Sequence, residues 1–259
     1  MTPLPPPTRP AALVTGGAQR IGQALVHALV ARGHPVAIHF HRSQQPAREL
    51  ATAITAAGGR AIALPADLGV EAEVAALIPE ASATLGPIGV LVNNASSFER
   101  DDALTVTRAS WDLHLEANLR APFVLMQAMA AALPDPQTGV IINLIDQRVW
   151  ALTPHFISYT VSKTGLWTLT QTMALALAPR IRVAAIGPGP TLANTRQDPA
   201  AFARQAAGVP LGQPTGVSEI AAAMGFILDT PSFTGQMLAL DGGQHLGYAF
   251  PPPGTPVDE

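Results

Sequence analysis

Tyr159 and Lys163 stand four positions apart in a chain of 259 residues that has two tyrosines and a single lysine. All the other Lys-plus-Arg positions are arginine, so position 163 keeps a primary amine where a guanidinium will not serve. An ammonium is a compact charge with three donors on a flexible stem, whereas a guanidinium is a planar fork. If residues 157–177 are helical, phenol and ammonium share one face. A cation beside the phenol favours the phenolate and lowers the pKa from its usual value of about 10, as suits a general acid near neutral pH. Alone, Tyr-x-x-x-Lys is common enough to be an ordinary surface pair; its surroundings decide. Asp146 closes the apolar run Val140 to Ile145 and precedes Tyr159 by thirteen residues. An ionised Asp only accepts hydrogen bonds. It could also pass a proton to a ring nitrogen if burial and the neighbouring phenol raise its pKa.

The elements that must position these residues follow from periodicity. Ala11 to Thr15 reads as a strand stopped by Gly16-Gly17, and Ile21, Ala24, Leu25, Ala28 and Leu29 then recur at helical spacing. Further strands are expected at Val36–Phe40, Ala61–Leu64, Val90–Val92, Val140–Ile145, Ile181–Ile186 and Met237–Leu240. Helices are expected at Arg48–Ala57, Glu71–Leu85 with Pro79 as a kink or break, Ser110–Leu133, Ile157–Ala178 and Val217–Leu228. Strands apolar throughout and alternating with helices imply a parallel sheet covered on both faces. The expectation is an α/β, single-domain, Rossmann-type doubly wound sheet of about seven strands. Ligands in such folds bind beyond the carboxyl ends of the strands, where Gly16, Asn93, Asp146 and Gly187 fall.

The first strand-to-helix turn, Thr15 to Gly22, has the glycines that let backbone approach a pyrophosphate at a helix N-terminus. Roughly twenty residues on, an NAD enzyme places a carboxylate for the ribose 2′-hydroxyl. This chain has His39-Phe40-His41-Arg42-Ser43 there instead. The reading is NADP(H), with Arg42 and Ser43 on the 2′-phosphate and His41 assisting. His39 and His41 lack the third ligand that a metal pair needs, and no metal is expected.

A net charge of -3 leaves no basic stripe for nucleic acid. No apolar run reaches the roughly 18 residues of a membrane span. With no cysteine, disulfides and thiolate metal sites are excluded and nothing speaks against the cytoplasm. The proline-rich residues 1–10 and residues 249–259 read as tails around a catalytic domain, 11–248.

In combination and order, the Thr15 to Gly22 loop, Asp67, Asn93-Asn94-Ala95, Asn118, Tyr159-x-x-x-Lys163, Pro188-Gly189 and Asp241-Gly242-Gly243 resemble the short-chain dehydrogenase/reductase family from Leu13 to about Leu246. The resemblance implies NAD(P)-dependent carbonyl or imine chemistry in a cytoplasmic homotetramer. It assigns Asp67 to the adenine, the Asn94-Ala95 backbone to the adenosine ribose, Lys163 to the nicotinamide ribose and Asn118 to a water relay. It also sets Gly16, Arg20, Ile21, Gly22, Leu68, Ser96, Tyr159, Pro188 and Gly189 against the cofactor.

The departures narrow this. Most of the family have serine where this chain has Asp146, Arg20 replaces the loop's middle glycine, and Asn94-Ala95 runs on into Ser96-Ser97-Phe98. These features look like the pteridine reductase and dihydromonapterin reductase branch. A 2-amino-4-oxopteridine, rich in N–H groups, rewards an acceptor at Asp146, and Phe98 offers it a flat face. Arg20, Ser96, Phe98, Asp146, Tyr159 and Leu192 are the expected substrate contacts, with Thr191 to Pro214 as a lid. Asp146 as a loop cap, Phe98 as an apolar anchor and Arg20 as a phosphate ligand only are the plainer readings. The function expected first is NADPH-dependent reduction of a dihydropterin or dihydrofolate. The alternatives are reduction of a ketone or sugar-like carbonyl, or a non-catalytic NADP sensor, against which the intact Tyr159 and Lys163 argue.

Overall fold

The structure is a computed structural model that describes residues 9–193 and 198–247. Most of the expected N-terminal tail, residues 194–197 of the expected lid and the C-terminal tail lie outside the described residues.

The elements run β1 (Ala11–Val14), α1 (Arg20–Ala31), β2 (Val36–Phe40), α2 (Gln44–Ala56), β3 (Ala61–Pro65), α3 (Glu71–Leu85), β4 (Ile88–Asn93) and α4 (Arg108–Leu115). A π turn (Glu116–Arg120) leads into α5 (Ala121–Ala132), followed by β5 (Gly139–Leu144), α6 (Ile157–Ala176), β6 (Ile181–Pro188), α7 (Pro199–Ala207), α8 (Val217–Asp229) and β7 (Met237–Leu240). The strands form one parallel sheet in the order β3-β2-β1-β4-β5-β6-β7. Side chains alternate across it: Leu13, Leu91, Ile141 and Val183 pack with α3, α5 and α6, while Val14, Val92, Ile142 and Ala184 pack with α1, α2 and α8. Covering both faces is what makes the strands read as unbroken apolar runs. The strand order reverses between β1 and β4, opening a crevice at their carboxyl ends.

The structure moves several expected boundaries. Helix α2 starts at Gln44 rather than Arg48, because Pro46 lies in the first turn, where its missing N–H has no helical partner to lose. Pro79 does not break α3: the helix runs through it with Val74, Leu77, Ile78 and Ala81 all buried, so packing outweighs one lost hydrogen bond. Helix α4 begins before Ser110, with Thr107 and Ser110 forming a reciprocal cap. The single helix expected from Ser110 to Leu133 is divided by the π turn. Pro122, two residues past that turn, has no N–H for the carbonyl of Asn118, so an α-helical bond is impossible there.

Candidate active site

The turn after β1 is built from backbone held by neighbours. Gly16 has φ +60°, the left-handed region glycine enters freely. A Cβ on Gly22 would lie 2.1 Å from the Gly16 carbonyl oxygen, so only glycine lets α1 press onto the turn. Asn94 Nδ2 donates to the carbonyls of Thr15 and Gly16 at 2.9 and 3.1 Å. Thr15 Oγ1 accepts from the main-chain N–H groups of Asn94 and Ala95, both at 3.0 Å.

His39 fastens the same turn, a role the sequence reading missed. Its Nδ1 accepts the Gly16 N–H at 3.1 Å and its Nε2 lies 3.1 Å from the Ala66 carbonyl. Those partners require the neutral ring with its proton on Nε2. Burial lowers its pKa to about 4, with the nearby His41 adding to the shift and the bond to Ala66 opposing it. His41 has a different fate: half-exposed, it lies 3.6 Å from Asp67. Arg42 follows, exposed, and Ser43 donates to Gln19 at 3.3 Å. Asp67 Oδ1 accepts from the Gly69 N–H at 2.9 Å, and Leu68 is buried beneath.

Beyond the ends of β4, β5 and β6 lies a cavity of about 260 Å³. It brings together Arg20, Ile21, Asn94, Ser96, Phe98, Asp146, Tyr159, Lys163, Pro188, Gly189 and Leu192, all expected at the site. The Tyr159 hydroxyl donates to Asp146 Oδ2 at 3.0 Å. Arg148, which the sequence reading passed over, lies two residues on in a 3₁₀ turn, and its Nη1 donates to that same oxygen at 3.2 Å. The Arg148 main-chain N–H donates to Asp146 Oδ1 at 2.8 Å, so Asp146 also caps the turn. The Arg148 guanidinium lies 5.4 and 5.1 Å from the ring centres of Phe98 and Phe156. Its spacing from Asp146 is the signal that could have found it.

The expected tuning of Tyr159 is reversed. Burial first, then the charge of Asp146, push the phenol well above its usual value; Arg148 and a hydrogen bond with Ser96 pull the other way. Lys163 Nζ does not meet the hydroxyl: it donates to the Leu144 carbonyl at 2.8 Å and sits 5.9 Å from the tyrosine ring centre. Burial brings its own pKa down to about 8, with Asp146 opposing. Tyr159 is therefore a protonated phenol whose hydroxyl is hydrogen-bonded to a carboxylate.

Phe156 stacks on Phe98 with ring centres 4.5 Å apart. Phe98 meets Tyr159 edge-on at 4.7 Å. Trp150 packs edge-on against Trp167 and His245, and His155 pairs with Asp102 at 2.6 Å. Asn118 is fully buried; its side chain accepts from the Ser97 N–H at 2.8 Å and donates to the Ser97 carbonyl at 2.9 Å and to Ser162 at 3.1 Å. Its main-chain carbonyl is the one that an N–H at position 122 would meet in a regular α-helix, and Pro122 has none to offer. Arg20, at φ +56°, donates to the carbonyls of Leu192 and Ala193 at 3.0 and 2.8 Å, which links the β1–α1 turn to the lid segment.

Residues 10–202 match the family described as short chain dehydrogenase. The chain is a short-chain dehydrogenase. The FolM alternative dihydrofolate reductase 1 from Brucella canis, a solved complex with NADP, superposes with a TM-score of 0.91 at 47% identity, covering 96% of this chain and 98% of that one. A blue fluorescent protein from a metagenomic library, in complex with NADPH, has a TM-score of 0.85 at 34% identity, covering 90% and 97%. The 3beta-hydroxysteroid dehydrogenase 1 of Eggerthella lenta is 34% identical over 248 residues, 92% of this chain and 95% of its own. In this short-chain dehydrogenase the cavity also takes Phe202 and Gln205 from α7 and Gln244 from the segment after β7, none of which sequence spacing singled out.

Proposed function

We propose that this short-chain dehydrogenase is an NADPH-dependent reductase of a ring C=N bond in a dihydropterin or dihydrofolate. The observation that carries the reading is the Asp146 carboxylate, bonded to the Tyr159 hydroxyl inside the cavity, where a hydroxyl donor to a ketone oxygen would be expected. A carboxylate there suits a ligand that presents N–H groups. The likeness to a dihydrofolate reductase at 47% identity supports it.

The residues present fit a dinucleotide. The tight turn that Gly16 and Gly22 permit, where a Cβ at residue 22 would strike the Gly16 carbonyl oxygen, would present main-chain N–H groups and the start of α1 to a pyrophosphate. Arg42, Ser43 and His41 would hold the 2′-phosphate, Asp67 and Leu68 the adenine, Asn94 to Ser96 the adenosine ribose, and Lys163 the nicotinamide ribose. The bound nicotinamide supplies the hydride. Tyr159 gives its proton to the ring nitrogen as the neighbouring carbon becomes C–H, so C=N becomes CH–NH. Arg148, whose charge favours the phenolate, then stabilises the anion left behind. Asp146 holds the substrate's N–H edge, Phe98 packs on its ring, and the Asn118 carbonyl keeps a water for reprotonation. A ketone or sugar-like substrate is the second reading, which the hydroxysteroid dehydrogenase relative favours.

The same proposal covers a catalytic domain at residues 11–248 between two tails, in a cytoplasmic homotetramer. Exposed Trp111 and Leu113 on α4 and Val161 on α6 are apolar surface that a subunit contact would cover.

NADPH oxidation by the purified protein, with dihydrobiopterin, dihydromonapterin and dihydrofolate set against a ketone panel, tests the reading. Pterin turnover is expected, and Asp146→Ser should lower its kcat/KM by about 10²-fold while ketone turnover is kept. Undiminished pterin reduction by Asp146→Ser removes the role given to the carboxylate.

A further inference from the structure

Behind Tyr159, away from the cavity, three buried polar side chains join the Phe98 loop to the start of α6. Asp101, His114 and Ser158 are 2%, 0% and 0% exposed. Donors and acceptors allow one self-consistent assignment. The Ser158 main-chain N–H donates to Asp101 Oδ1 at 3.2 Å, and the Ser158 hydroxyl donates to Asp101 Oδ2. With its proton committed, the hydroxyl oxygen accepts, so His114 Nδ1, 2.6 Å away, carries the ring proton. Bare Nε2 then accepts the Glu99 main-chain N–H at 3.0 Å. A charged ring would set two donors face to face at Nε2. Burial favours the neutral ring, although the charges of Asp101 and Glu99 and the Ser110 carbonyl all face it and pull the other way. The Tyr159 ring lies edge-on at 6.0 Å.

Spacing makes this more than a local cluster. His114 and Asn118 grip the loop backbone at Glu99 and Ser97, on either side of Phe98. The same two side chains reach α6 at Ser158 and Ser162, four residues apart, at 2.6 and 3.1 Å. Ser158 and Ser162 each immediately precede a member of the Tyr159 and Lys163 pair. Two rungs therefore tie one side of α6 to the loop while the adjacent side presents the phenol and the ammonium.

We propose that Asp101, His114 and Ser158 are positioning residues for the reaction: through the upper rung they set where Ser96 and Phe98 stand relative to the Tyr159 hydroxyl. None of the three lines the cavity. The proposal rests on the reading of Phe98 and Tyr159 as substrate-facing.

The test compares His114→Leu, His114→Gln and Ser158→Ala with the wild type, measuring kcat and KM for the pterin and, separately, NADPH affinity by fluorescence. His114→Leu should lower kcat/KM on the order of 10- to 100-fold, as expected for a small misplacement of the substrate-facing loop. NADPH affinity should stay unchanged. His114→Gln, whose amide oxygen can meet the Glu99 N–H, should recover most of the loss. A folded His114→Leu with wild-type kcat/KM, a glutamine variant no better than leucine, or NADPH affinity falling in parallel would each overturn the proposal. Should the leucine variant not fold, Ser158→Ala, which removes one oxygen, decides by the same readouts. Absence of wild-type pterin turnover sinks the substrate reading alone, and the same comparison is then made with the ketone the enzyme reduces.

Discussion

At the β1–α1 turn, main chain makes the surface: Gly16 and Gly22 have no side chain to interpose, and Thr15, His39 and Asn94 serve to hold peptide groups in place. Around Asp146 the reverse holds. There a phenol, a carboxylate, a guanidinium and the phenyl ring of Phe98 make the surface, and they come from the loops after β4 and β5 and from α6. The first region suits a ligand of invariant shape, since peptide N–H groups and a helix terminus can bind phosphate with little help from side-chain chemistry. The second can change its ligand by changing one residue. A fold that keeps its cofactor while varying its substrate needs both kinds of construction.

The sharpest test of that division is Tyr159→Phe. It should lower kcat by about 10²- to 10⁴-fold and leave NADPH affinity intact; a matching loss of NADPH binding would show that the two regions are not separable. Arg42→Ala probes the opposite end. With one charge-assisted contact to the 2′-phosphate gone, NADPH should bind about 10- to 100-fold more weakly while NADH and kcat hold; equal loss of both cofactors would sink the NADP(H) assignment. The smallest effect concerns the turn's own rigidity. His39 is neutral in the fold, with a pKa of about 4 against 6.5 unperturbed, so below pH 6.5 the unfolded chain takes up a proton that the folded one refuses. Stability should be fully present above 6.5 and fall as the pH drops toward 4, by on the order of 3 kcal/mol from this residue. Melting temperature followed across that window should decline less steeply for His39→Gln than for the wild type.

Much of the fold was legible because fully covered parallel strands are apolar at every position, and β2 and β7 fall where the pattern puts them. The turn was legible because backbone demands on glycine are local. Asp146 and Phe98 could be read as departures from a family pattern. What their side chains do could not, because it depends on Arg148 and Phe156, which fold back onto them. The raised pKa of Tyr159 was misread for a related reason: spacing along a helix puts Lys163 nearby, but only the tertiary structure shows its ammonium spent on the Leu144 carbonyl. The Asp101–His114–Ser158 set was invisible to spacing, since its members come from a loop and two helices far apart in the chain.

The π turn before Pro122 also acts as a change of gear. One additional residue in a helical turn offsets everything after it by about 100° around the axis. Helix α4 can thus turn His114 toward α6, and α5 can turn Val124, Leu125 and Met129 into the core shared with α3. Deleting one residue from Glu116–Arg120 would restore a regular spiral and rotate one of those faces away from its neighbour, so a more perfect helix here would make a poorer enzyme.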